Sequence, residues 1–169
     1  IGYLLLLAFG VRGPVGAKLE QWFGWRLVFS SSGAVLAAAV MAFPLMVRAV
    51  RLSLDAVDQG LEFAARSLGA TRLDAFLTVT LPLMLPGILA GLLLAFAASL
   101  GEFGATITFA SNVEGQTRTL PLAIYTATQT PDGDAAALRL VGIAIVLSLL
   151  ALALSEAVER WARRTIYGT

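Results

Sequence analysis

Residues 27–47 carry no charged side chain, and neither do residues 75–101. About 20 helical residues cross the hydrocarbon core of a bilayer. Two stretches this long and this apolar therefore predict membrane-spanning helices rather than the interior of a water-soluble domain. Spans are predicted over 27–47, 83–101 and 135–155, the last with Arg139 close enough to its end to snorkel. Residues 1–11 are equally apolar but too short to cross, and they read as the second half of a span. The chain is accordingly read as the carboxy-terminal part of a longer protein whose amino-terminal spans are missing. The fold class that follows is all-α, a polytopic transmembrane helical bundle. Composition agrees, because 58% hydrophobic and 14% charged residues suit a chain whose solvent is largely lipid.

Between the spans the pattern changes character. Residues 12–26 combine Gly and Pro with Trp22, Phe23 and Trp25, aromatic rings that favour the headgroup level. Either an ordinary connecting loop or an interfacial helix over about 15–23 would account for them. Pro44 predicts a kink or an early stop near the end of its span, with Arg48 and Arg51 marking the exit. Residues 53–82 then read as a charged helical hairpin displayed at one membrane face. Leu54, Val57, Leu61, Ala64, Ala65 and Leu68 share one helical face, and Asp58, Gln59, Glu62 and Arg66 the other. Glu62 and Arg66 stand i, i+4 in the favourable order. Gly69 falls where a helix ends in a left-handed residue. Thr71 with Asp74 is spaced as a capping box for a second short helix, 72–79, with Leu73, Phe76 and Leu77 inward. Pro82 closes that helix and Pro86 begins the next span. Gly87 and Gly91 form a G-x-x-x-G, which either admits a close neighbouring helix or reflects the frequency of Gly in membrane helices. Residues 102–134 form a long polar connection containing an amphipathic piece, 120–128, laid along the membrane surface. Residues 156–169 are a short tail with Arg160, Arg163 and Arg164.

Orientation follows from the basic residues near the span ends. Arg48, Arg51, Arg66 and Arg72 in the hairpin region and the three tail arginines outnumber the single Arg118 of the 102–134 connection. Hairpin and carboxy terminus are therefore expected in the cytoplasm. Arg12, Lys18 and Arg26 then lie outside, against the rule.

The chain alone has little chemistry available. It contains no Cys and no His, so thiolate sites, disulfides and imidazole bases are excluded. A net charge of +1 gives no reason to expect nucleic acid. Lys18, the one lysine, follows Ala17, so no GxxxxGK[ST] phosphate loop exists. No carboxylate series runs through the spans to relay protons, which argues against an ion-gradient-driven secondary transporter. A simple membrane anchor would have no use for a hairpin of such specific spacing. Work done against a gradient must enter through a partner, and the hairpin is where a partner would grip.

Glu62-Phe63-Ala64-Ala65-Arg66-Ser67-Leu68-Gly69 followed by Val79-Thr80-Leu81-Pro82 resembles the EAA loop of ABC-importer permeases, EAA-x3-G-x9-I-x-L-P. Ala64, Ala65, Gly69, Leu81 and Pro82 fit in place, Val79 replaces Ile, and Phe63 stands where the motif has Glu, with Glu62 one residue earlier. The segments 100–109, Ser111-Asn112, 117–121 and 125–131, together with 35–51, are similar to the molybdate permease subfamily, and sulfate permeases share the Gly-Glu-Phe-Gly region at 101–104. The resemblance implies a type I ABC-importer permease that carries molybdate or tungstate, or alternatively sulfate or thiosulfate, through the inner membrane. It further implies a homodimer, two cytoplasmic ATPase subunits that hydrolyse ATP in its stead, and an extracytoplasmic oxyanion-binding protein. The permease itself would be no enzyme and would need no cofactor or metal. Glu62, Ala64, Ala65, Gly69, Val79, Leu81 and Pro82 would couple to the ATPase. Hydroxyls and backbone N–H groups suit a tetrahedral dianion and carboxylates repel it, so Ser99, Thr106 and Thr108 are candidates to line the passage. Glu102, between Gly101 and Gly104, is expected to pair with Arg118 and hold the bend at the end of its span.

Overall fold

The computed structural model describes residues 1–167, with side chains described through Val158 and at Arg160. All of its regular structure is helical. In chain order the helices are α1 (Gly2–Phe9), α2 (Gly16–Phe23), α3 (Ser31–Asp55), α4 (Gln59–Ser67), α5 (Arg72–Ala75), a π-helical turn (Phe76–Thr80), α6 (Leu81–Leu100), α7 (Gly104–Phe109), α8 (Leu120–Thr128) and α9 (Asp134–Tyr167). Among the described residues, three stretches are long and apolar enough to cross a membrane: Ser31–Asp55, Arg72–Leu100 and Asp134–Val158. At 1.5 Å per residue a 25-residue helix is roughly 37 Å long, more than the hydrocarbon thickness of about 30 Å. Their side chains fit lipid as solvent. Along α9, Leu138, Ile143, Ile145, Val146, Leu149, Leu150, Leu152 and Leu154 are all exposed, an apolar surface that water would not tolerate.

The span boundaries differ from expectation in ways that share one cause. The helix predicted over 27–47 begins only at Ser31, runs through Pro44 and ends at Asp55, so Arg48 and Arg51 are helical. Proline removes a single donor, and in an apolar medium abandoning the neighbouring helical bonds costs far more. Pro82 likewise does not end the short helix of the hairpin, nor does Pro86 open a new one: the chain is helical from Arg72 to Leu100. An α-helical Pro82 would drive its ring against the carbonyl of Thr78. The π turn widens the helix one residue earlier, with the Leu81 N–H donating to the Phe76 carbonyl. Nor does the last helix stop at 155. It continues to Tyr167, aided by an Arg160–Glu156 pair at 3.6 Å across one turn; Arg163 and Arg164 lie outside the described side chains.

Contacts resolve the chain into two compact units. The first comprises Ile1–Phe43 and Ala97–Leu149. Its core joins Leu5, Ala37, Ala105 and Phe109, with Leu6, Phe9, Leu27, Val28, Leu36 and Val40 packed around them. Phe109 is fully enclosed, a burial that stabilises by about 2–3 kcal/mol. α1 lies directly on α7: a side chain at Gly2 would meet the Thr108 Cβ at 2.8 Å. Residues 16–23 settle as a helix, with Trp22, Phe23 and Trp25 exposed and Arg26 Nε bound to Glu20 Oε1 at 2.6 Å.

The second unit contains Pro44–Phe96 and the chain from Leu150. Here the G-x-x-x-G acts as a packing surface. A Cβ at Gly91 would lie 2.3 Å from the Ala49 Cβ, and one at Gly87 would lie 2.0 Å from Ser53 Oγ, so α6 rests on the second half of α3 at backbone distance. That contact supports the base of the hairpin.

Candidate coupling hairpin

Asp58 opens the hairpin. Its extended backbone ends the irregular residues after α3, and its side chain accepts the Gly60 N–H at 2.8 Å, capping α4. The first arm is therefore Gln59–Ser67; the predicted start at Leu54 belongs instead to the last turn of α3. The arm closes in a Schellman motif, with the Ala70 N–H donating to the Ala65 carbonyl at 3.2 Å and the Gly69 N–H to the Arg66 carbonyl at 3.1 Å. Gly69 takes φ 98°, the left-handed region that the motif requires.

Two residues later the capping box forms as spaced. Thr71 Oγ1 accepts from the Asp74 N–H at 3.2 Å, and Asp74 Oδ2 accepts from the Thr71 N–H at 3.3 Å. The second arm is α5 and the π turn, and α4 packs against both. Ala75 is completely buried at its root.

The hairpin's apolar side chains are not turned inward. α4 buries no residue. Leu73, Phe76 and Leu77, expected to face in, are 66, 41 and 49% exposed, and Leu68 is 90% exposed. A stiff hairpin with doubly capped ends and an uncovered apolar surface has the form of a docking element. No ion pair joins Glu62 to Arg66 among the described residues; Arg66 is exposed and Glu62 half-buried.

Of the motif residues, Gly69 and Ala64 are exposed, Glu62, Ala65, Val79, Leu81 and Pro82 are half-buried, and all lie on the two arms or at the start of α6. Sequence reasoning missed what lies beneath them. A cavity of about 370 Å³ opens between the end of α3, α4 and the π turn, lined by Asp55, Asp58, Glu62, Phe63 and Thr80 among others. Thr80 is 4% exposed, and its Oγ1 has no hydrogen-bond partner among the described residues. A Thr that alternates with Val79 before a Leu-Pro pair gave no sign of this, because its burial depends on the π turn.

The residues proposed for the passage belong to the first unit, and the hairpin to the second. Thr106 is enclosed, at 1% exposure; Thr108 is exposed and donates to the Gly104 carbonyl at 2.8 Å; Ser99 is half-buried on α6. Glu102 does not pair with Arg118. Its Oε1 accepts the Ala105 N–H at 2.7 Å, placing a carboxylate at the amino-terminal turn of α7 just past Gly101, where free N–H groups favour it. Arg118 is instead held within its own loop, with Nε donating to Asn112 Oδ1 at 3.0 Å and Nη1 3.3 Å from Glu114 Oε2. Asn112 Nδ2 in turn donates to Thr126 Oγ1 on α8 at 2.7 Å.

Comparison with known proteins bears on what this architecture serves. Residues 1–164 match the family model described as the binding-protein-dependent transport system inner membrane component. The chain is 59% identical over 163 residues to the molybdenum transport system permease protein ModB of Escherichia coli, covering 96% of this chain and 71% of that protein. Its Haemophilus influenzae counterpart is also 59% identical, over 92% of this chain and 68% of the relative. A probable molybdenum ABC transporter permease protein of Haloferax volcanii is 43% identical, over 88% and 54% respectively.

Proposed function

The chain belongs to the binding-protein-dependent transport system inner membrane component family, and from that membership we propose that it forms the translocation path of an ATP-driven importer for a tetrahedral oxyanion, molybdate. The observation that carries the mechanism is the hairpin: rigid at both caps, apolar on its free face and continuous with a membrane-crossing helix. Residues 59–80 lie in the cytoplasm and dock on a separate ATPase subunit, which hydrolyses the nucleotide. Closure of the ATPase on ATP moves the hairpin. Because α5, the π turn and α6 are one helical stretch, the movement passes into the span and alternates access to the path. Glu62, Ala64, Ala65, Gly69, Val79, Leu81 and Pro82 serve this coupling.

The permease works as a homodimer and receives its cargo from an extracytoplasmic binding protein that supplies the affinity. Ser99, Thr106 and Thr108 remain the candidates to line the path, and Glu102, whose Oε1 accepts the Ala105 N–H, is no ligand for the anion. Molybdate is favoured over sulfate by the names of the relatives at 59% identity.

The test is uptake of labelled molybdate by cells lacking their own molybdate permease. The full-length gene with its ATPase and binding-protein partners should restore uptake that tungstate competes for and sulfate does not. Accumulation without ATP hydrolysis would refute the proposal, and so would loss of uptake to sulfate competition as strong as that by tungstate.

A further inference from the structure

The segment from α2 to the start of α3 carries its largest apolar side chains on the outside. Trp22, Phe23, Trp25 and Phe29 are each more than half exposed, and none of them belongs to the core around Phe109. Local hydrogen bonds hold this display in place. α2 ends on a left-handed glycine, Gly24 at φ 66°, whose N–H donates to the Glu20 carbonyl at 3.0 Å, and the Trp25 N–H turns back to the Leu19 carbonyl at 3.4 Å. The Phe23 and Trp25 ring centroids stand 6.4 Å apart. Phe29 takes φ 56°, a strained conformation for phenylalanine, and its N–H donates to the carbonyl of the enclosed Phe109 at 3.2 Å. Two cations accompany the rings. Lys18 shares an exposed helical face with Val15 and Trp22, at i, i+3 and i+7. Val11 and Trp25 line one narrow crevice, so the turn that carries Arg12 adjoins the aromatic cluster. Arg12 and Lys18 are exposed and form no ion pair among the described residues.

The depth of this cluster follows from α3. Ser31 opens that helix, and Arg51 lies about 30 Å further along it at 1.5 Å per residue, the thickness of the hydrocarbon core. With Arg51 at one boundary, Ser30, Ser31 and Ser32 stand at the other, and the rings just before them lie at headgroup level. Tryptophan favours that layer, and a basic side chain beside it meets lipid phosphate. We propose that α2 and residues 25–29 anchor the protein on an anionic phospholipid, with Trp22, Phe23, Trp25 and Phe29 seated in the interface and Arg12 and Lys18 on the phosphodiester. The anchor concerns the lipid and holds whichever anion the protein carries. It also accounts for the basic residues that break the charge rule in the proposed orientation, since Glu20 neutralises Arg26 and phosphate engages the other two. Phe29 is bonded to Phe109, and Ser31 Oγ donates to the Gln116 carbonyl at 2.7 Å. The anchor therefore fixes the start of α3 and the loop after α7 at one depth.

The experiment places the full-length protein in nanodiscs of phosphatidylcholine and phosphatidylglycerol, using lipids brominated either beside the headgroup or near the chain ends. The tryptophan emission lost in Trp22→Phe with Trp25→Phe is the share owed to this segment. That share should be quenched by the shallow bromines and hardly by the deep ones. Quenching by neither, or mainly by the deep ones, would overturn the proposal. In detergent, titration with short-chain phosphatidylglycerol, followed through the same emission, should show about tenfold tighter binding than with phosphatidylcholine. Arg12→Gln with Lys18→Gln should remove that advantage, as should high salt with the wild type, while binding of phosphatidylcholine stays the same. Equal wild-type affinity for the two lipids, or an undiminished preference in the double variant, would refute the role of the two cations. Rings that neither bromine reaches, together with loss of the purified extracytoplasmic binding protein in Trp22→Ala, would assign the surface to that protein and not to lipid.

Discussion

At Gly69 the backbone sits at φ 98° and nothing crowds the position where a Cβ would stand. The demand there is conformational and not steric. Gly69→Val should strain the turn by about 1–3 kcal/mol, loosening the Schellman closure; uptake and ATPase assembly are both expected to fall while the spans remain folded, and unchanged uptake would show that the turn geometry is dispensable. Gly91 poses the opposite case. It is an ordinary helical residue, but Ala49 lies where its side chain would be. Gly91→Val should part α3 from α6 and lower stability by about 1–3 kcal/mol, read as a fall in the thermal midpoint of the purified protein. Both glycines were legible as glycines with a purpose, one from the helix-end pattern and one from the four-residue spacing. Glu102 was not legible. A carboxylate and an arginine in one polar connection suggest a pair, but the Ala105 N–H, three residues away, reaches Glu102 at a smaller cost in chain entropy than a partner sixteen residues off, and Glu114, four residues away, does the same for Arg118.

At the scale of elements, the two arms of the hairpin were readable because their signals are local: a cap, a left-handed stop and a capping box each need only four or five residues. Where the arms face was not. An amphipathic pattern says which residues share a face, and it says nothing of whether the same chain covers that face. Leu61, Leu68 and Leu73 lie on the surface, so Leu61→Asp, Leu68→Asp and Leu73→Asp should leave the fold intact by circular dichroism and thermal melting. Each is nonetheless expected to weaken ATPase assembly by about tenfold or more, as removal of a buried interface anchor does. A variant that unfolded while still binding would place these side chains in the core instead. The π turn was hidden for a related reason. Proline reads as a stop, and the π turn before Pro82 lets the helix continue past it, an outcome that an apolar medium favours over broken backbone hydrogen bonds.

For the whole molecule, the three long apolar helices among the described residues, largely uncovered by the chain itself, fit lipid as the solvent, and the distribution of arginines is the ground for the proposed orientation. The absence of cysteine from the sequence makes this easy to probe. In intact cells Glu114→Cys should react with a membrane-impermeant maleimide and Gln59→Cys should react only after permeabilisation; the reverse pattern would invert the orientation proposed here. Both substitutions fall at exposed positions; Glu114→Cys gives up the ion pair to Arg118, which keeps its hydrogen bond to Asn112.

What the sequence determined by itself was solvent, class and periodicity. Runs of uncharged residues dictate crossing helices because an unpaired backbone group in hydrocarbon is too costly to leave, and that argument needs no neighbours. The helix 120–128, the capping box at Thr71 and the turn at Gly69 followed from the same short-range logic. Tertiary structure alone decided the rest: that α3 passes Pro44 and reaches Asp55, that Glu102 caps α7 instead of meeting Arg118, and that Thr80 is buried beside a cavity ringed by carboxylates. Each of those outcomes depends on which distant segment arrives at a given point, a matter of packing that one-dimensional spacing does not contain.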